Sequence, residues 1–117
     1  MEAIEKATGN PADEIVEVST PTICAFRIGD GEASHDASIR FEDVFASLDS
    51  VKASFTEGES SEVAARPSYW APGLHTMWVH SGDSLIAVQL LHADLEEAAA
   101  LELAERLAAV AVHQLAP

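Results

Sequence analysis

The stretch Leu74-His-Thr-Met-Trp-Val-His-Ser-Gly-Asp-Ser-Leu-Ile-Ala-Val-Gln-Leu-Leu91 decides the fold. It alternates apolar and polar residues on both sides of Gly82-Asp83, the period-2 pattern of two strands joined by a tight turn. A two-residue loop sets Ser81 opposite Ser84, His80 opposite Leu85, Trp78 opposite Ala87 and Thr76 opposite Gln89. One face of the ribbon then carries Met77, Val79, Ile86, Val88 and Leu90, and the other is mixed. Glycine at the first loop position suits a type II′ turn, because it takes positive φ without strain. A slip of one residue would turn the aliphatic set to the wrong face, so the pattern specifies its own register.

A long helical segment follows at once. Asp94 and Glu97 match an Asp-x-x-Glu capping box, and Glu96 and Glu97 suit the positive end of the helix dipole. At 100° per residue, Glu102, Glu105, Arg106 and His113 form the polar side. Ala100, Leu103, Ala104, Leu107, Val110 and Ala111 face the core, while Leu101, Ala108 and Val112 widen the apolar arc. An arc this wide fits either a homodimer through this helix or the tolerance of alanine for exposure.

Upstream, Ala3, Ile4 and Ala7 share helical spacing before a stop at Gly9. Ile15 to Val18 reads as a short strand, and Thr22 to Ile28 as a strand with Cys24, Phe26 and Ile28 on one face. Ser38 to Asp43 reads as a strand with Ile39 and Phe41 inward and Arg40 and Glu42 outward. Val44, Leu48, Val51 and Phe55 then make the stripe of an amphipathic helix with Asp43 as its N-cap. Glu62 to Arg66 reads as a short strand stopped by Pro67, and Ser68 to Gly73 as the lead into the hairpin.

Counting five strands and leaving out the short run Ile15 to Val18, the order is α-β-β-α-β-β-β-α in a single α+β domain over residues 1–117. It implies a mainly antiparallel sheet with helices on its faces. The mixed hairpin face, with Trp78, Leu85, Ala87 and Leu91, is too apolar to be left in water. Both sheet faces are thus expected to be covered, as in an α/β/α sandwich.

The charge is the outlier of the composition: 20 acidic residues against 6 basic give −14, and the only lysines are Lys6 and Lys52. Such a chain repels phosphate backbones and anionic membranes, which argues against nucleic-acid binding. The acidity fits either solubility or a surface made for a basic partner. No apolar run is long enough to enter a membrane, so the chain reads as soluble. It would be cytoplasmic if Met1 is the true start and exported if a leader was removed.

Chemical signatures are sparse. Cys24, the single cysteine, reads as a buried small hydrophobe. The five histidines show no His-x-His or His-Glu-x-x-His spacing, so no metal site and no cofactor are expected. Ser81-Gly-Asp-Ser84 lacks the strand-to-helix context of a nucleophile elbow. The cluster Tyr69, Trp70 and Trp78, with His80 beside it, is the best candidate for a ligand or partner surface, against the alternative that the rings are core.

Thr8-Gly9, the strand Cys24-Ala-Phe-Arg27, and Trp70-Ala-Pro-Gly-Leu74 ahead of a strand pair and an Ala-rich helix resemble small actinobacterial lipoproteins of the LpqN type. That resemblance implies a PsbP-like α/β/α fold and a binding or accessory domain, and it carries no catalytic residues over. The chain departs from the pattern in having no lipobox and one cysteine where exported relatives often pair two.

Three functional expectations follow. The first is a non-catalytic module binding a protein or small apolar ligand at Tyr69, Trp70 and Trp78. The second is an acidic protein like a secretion chaperone or inhibitor, binding a basic partner. The third is a small His/Asp enzyme, which requires two or more of His75, His80, His92 and Asp83 to converge.

Overall fold

The register read from the hairpin is the one the molecule adopts. Thr76 pairs with Gln89, Trp78 with Ala87, His80 with Leu85 and Ser81 with Ser84. The computed structural model describes residues 4–6, 9, 11–14, 23–29, 35–42, 45, 47–81, 84–90 and 96–115. The Gly82-Asp83 turn, the strand expected at Ile15 to Val18, and Asp43, Val44, His92 and Asp94 lie outside the described residues.

In chain order the elements are α1 (helical at residues 4–6), β1 (Ala12–Glu14), β2 (Ile23–Ile28), β3 (His35–Phe41) and α2 (Leu48–Ser54). Then follow β4 (Glu59–Val63), β5 (Arg66–Ala71), a 3-10 turn (Pro72–Leu74), β6 (Thr76–Ser81), β7 (Ser84–Leu90) and α3 (Glu97–Leu115). Seven strands form one antiparallel sheet in the order β1-β2-β3-β7-β6-β5-β4. The hairpin thus lies in the middle of the sheet, and β1 and β4 are its edges.

Alternation along the strands divides the side chains between two cores. Met77, Val79, Ile86, Val88, Phe26, Ile28, Ile39 and Trp70 pack with Ala100, Ala104, Leu107, Ala108 and Ala111 of α3. Tyr69, Ala71, Trp78, Leu85 and Ala87 pack on the other face with Leu48 and Val51 of α2. The sheet is therefore covered on both sides. Leu101, Leu103, Ala109 and Val110 are partly buried against the α3 core, so the wide apolar arc of this helix is used within the chain. Cys24 is partly buried against the same core.

Three local expectations are corrected. The α2 N-cap is Ser47, whose hydroxyl accepts from the Ser50 N–H at 3.3 Å, and α2 begins at Leu48. On β3, Phe41 is 44% exposed, whereas the Glu42 side chain just beyond the strand is only 2% exposed. Outward parity does not mean solvent here, because a second layer lies over that face. An edge strand that the sequence pattern did not mark, β1 at Ala12–Glu14, forms against β2.

The third correction is the segment around Pro67, which is a hairpin, β4 on β5, and not one short strand. Its turn is Ala64-Ala65, with φ of 52° and 63°; two positive central φ values are what a type I′ turn requires. Pro67 is tolerated because the nitrogen it would donate from points toward β6, where pairing with β5 starts one residue later, at Ser68 opposite Val79.

Two alanines in the left-handed region carry a steric cost that Asn-Gly does not. The double substitution Ala64→Asn with Ala65→Gly is expected to raise stability by about 1–2 kcal/mol in urea unfolding, with the m-value unchanged.

Candidate functional site

Each tryptophan of the central strands is tied to a glutamate by its indole N–H, one on each side of the sheet. Trp70 Nε1 donates to Glu97 Oε1 at 2.7 Å, fixing the first turn of α3 onto β5. Trp78 Nε1 donates to Glu42 Oε1 at 2.7 Å, fixing the chain after β3 onto β6. Arg40 Nη2 lies 3.4 Å from the same Glu42 oxygen, so this buried carboxylate has a counter-charge. Buried indoles seek such acceptors, and ionised acceptors make the stronger bonds.

On the α2 side, Trp78 stacks on Phe55 at 5.5 Å and meets Phe45 edge-on at 6.1 Å. Tyr69, beside Trp78 in the β5–β6 register, sends its hydroxyl to the Phe55 carbonyl. The Tyr69 hydroxyl oxygen in turn accepts the Gly58 N–H at 3.0 Å. One side chain therefore holds the end of α2 and the start of β4 together. Lys52 lies above the Tyr69 ring, its Nζ 5.9 Å from the centroid. A Cβ at Gly58 would overlap the Trp70 carbonyl and the Tyr69 ring, so only glycine allows the loop this close.

This clasp borders an open cleft of about 390 Å³. Phe55, Ala71, Pro72 and Leu74 supply its apolar walls, and Ser54, Thr56 and Glu57 its polar rim. Leu74 is 43% exposed, one of two large hydrophobics exposed among the described residues. Apolar and polar residues contribute about equally to its lining.

The residues singled out in the sequence are not one patch. Tyr69 and Trp78 share the α2 face, while Trp70 lies on the α3 face. All three rings are buried, so none is itself a contact surface. His80 is exposed, on the Trp78 side of β6 and near the hairpin turn. Of the cleft residues, Phe55 was legible only as helix stripe, and Gly58 and Leu74 carried no alternation to mark them. Pro72-Gly-Leu74, a turn with a large aliphatic beside it, was the available signal.

The histidines do not converge among the described residues. His75 precedes β6 and His80 lies near its far end. His75 takes a left-handed conformation (φ 46°), stacks on Trp70 at 5.9 Å, and places Nε2 3.8 Å from Glu97 Oε2. Its carbonyl accepts from Leu90 N–H at 2.9 Å, extending the β6–β7 ladder by one bond. No group of three or more His, Cys, Asp or Glu side chains suited to a metal ion occurs among the described residues.

No family model, curated protein or solved structure matches the chain.

Removing either clasp exposes its role. Glu42→Ala leaves a buried indole N–H and an Arg40 charge unpaired and is expected to cost about 1–3 kcal/mol. Glu97→Ala should cost less, since the Glu97 side chain is 55% exposed and water can replace it. Trp78→Ala should cost about 3–5 kcal/mol, as for other buried aromatics. Urea unfolding of the three variants gives this ranking directly.

Proposed function

We propose that this domain is a non-catalytic binding module whose site is the cleft between the end of α2 and the Pro72–Leu74 turn. The observation that carries the reading is the cleft itself: an open concavity with one apolar wall, held in shape by Tyr69 and bordered by the exposed Leu74. Concave, mostly apolar and preformed is the usual description of a small-group binding site. The occupant is an apolar group, either a small ligand or a side chain of a protein partner. The charge of −14 favours a partner with basic residues around that group. The resemblance to LpqN-type lipoproteins, resting on its short motifs, points in the same direction. Of the aromatic residues first singled out, Tyr69 and Trp78 serve this site from behind, by positioning Phe55 and the Gly58 loop.

Titration with indole, followed in ¹H–¹⁵N spectra, tests the site. Shifts should concentrate at Gly58, Ala71 and Leu74. Thr56→Trp, an exposed position on the rim, should fill the cleft and weaken binding about tenfold or more, about 1.4 kcal/mol. Shifts scattered over the surface, or binding unchanged in that variant, would contradict the reading.

A further inference from the structure

The edge strand β4 adjoins the cleft wall: residues 56–58 lead directly into Glu59, and among the described residues β4 has a neighbouring strand on one side only. The direction of its free backbone groups follows from the ladders. His75 and Leu90 form a hydrogen-bonded pair position on β6–β7, so Val79 also faces β7, and its β5 partner Ser68 must face β4. Ser61 therefore bonds to Ser68, as do Glu59 to Trp70 and Val63 to Arg66. By alternation, the N–H and C=O groups of Ser60 and Glu62 point away from the sheet. Pro67 opposite Glu62 agrees, since it has no N–H to donate.

The side chains of Glu59, Ser60, Ser61 and Glu62 are all exposed, and Glu57 precedes them; residues 56–62 hold three acids and no base. A second copy of this chain would bring these acids against their own kind, at −14 on each partner. Glutamates on an edge normally block such self-pairing. They leave the edge open to a strand of opposite charge.

We infer that the partner is an extended basic protein segment that adds to β4 as an eighth strand and places an apolar side chain in the cleft. The partner class rests on the reading of the cleft as a binding site, whereas the strand addition stands on the edge geometry. Glu59 and Glu62 are three apart and so project to opposite faces of the sheet. A complementary strand therefore carries its two basic residues three apart, one for each face. Main-chain hydrogen bonds to Ser60 and Glu62 supply affinity, and the charges select the partner.

The probe is a panel of synthetic peptides of alternating valine and threonine, each with one lysine pair at a different spacing, titrated calorimetrically into the full chain. The lysine pair spaced by three should bind tightest and slow hydrogen exchange at the amides of Ser60 and Glu62. Ser60→Pro removes an outward donor without touching the β4–β5 ladder; it should weaken binding about tenfold and leave the thermal melt unchanged. Glu59→Lys with Glu62→Lys should transfer preference to the matching glutamate peptide. Binding that is lost in Ser60→Pro but kept in Leu74→Asp supports strand addition and removes the cleft from it. Binding lost in Leu74→Asp but kept in Ser60→Pro overturns strand addition and leaves the cleft reading intact. Failure of every peptide to bind also overturns it.

Discussion

The pairing of β6 with β7 is the constraint on which the rest of the molecule depends. It lies at the centre of the sheet, and each neighbouring ladder inherits its parity. Because Trp78 is opposite Ala87, Met77 and Val79 must face α3 while Trp78 faces α2. Because Met77 is opposite Trp70 across β5–β6, the second tryptophan is committed to the α3 side. A shift of one residue would exchange the two faces and separate both indoles from their carboxylates.

That two-sided burial explains how a chain of such high negative charge uses some of its acids. Glu42 and Glu97 are acceptors that pin the covering layers to the sheet. Asp36 lies directly opposite Arg27, with Oδ1 2.8 Å from Arg27 Nε, and this carboxylate holds the guanidinium above its ordinary pKa through hydrogen bonding and charge. The glutamates at 57, 59 and 62 remain exposed. They precede and run along β4, whose start adjoins the open cleft. The proposed site is thus at the margin of the sheet, at the end of the Tyr69 clasp, and away from the buried rings.

The parts of the fold legible in the sequence are those where one period dominates. The hairpin register, the strand through Cys24, Phe26 and Ile28, and the long helix carried their pattern over enough residues to be unambiguous. The β4–β5 turn was hidden because Ala64-Ala65 has none of the Asn or Gly chemistry such turns use, and because Pro67 reads as a stop unless its direction in the ladder is known. Glu42 looked outward by parity, and only the second layer over that face makes it buried. Tyr69, Trp70 and Trp78 drew attention as aromatics near one another in sequence. Adjacent strand residues point to opposite faces, so Tyr69 and Trp70 could not have formed one surface. The cleft depends on a close approach of Gly58 to Tyr69, a contact across eleven residues that no local pattern encodes.

The measurement closest to the central claim is the set of cross-strand Hα–Hα nuclear Overhauser effects along β6 and β7. Non-hydrogen-bonded pairs bring their Cα atoms to about 4.5 Å, giving the strongest such signals. The register described requires them between Thr76 and Gln89, Trp78 and Ala87, and His80 and Leu85. Strong signals from Trp78 to Ile86 or Val88 instead would mean a shifted register, and the assignment of both faces, both clasps and the cleft would fall with it.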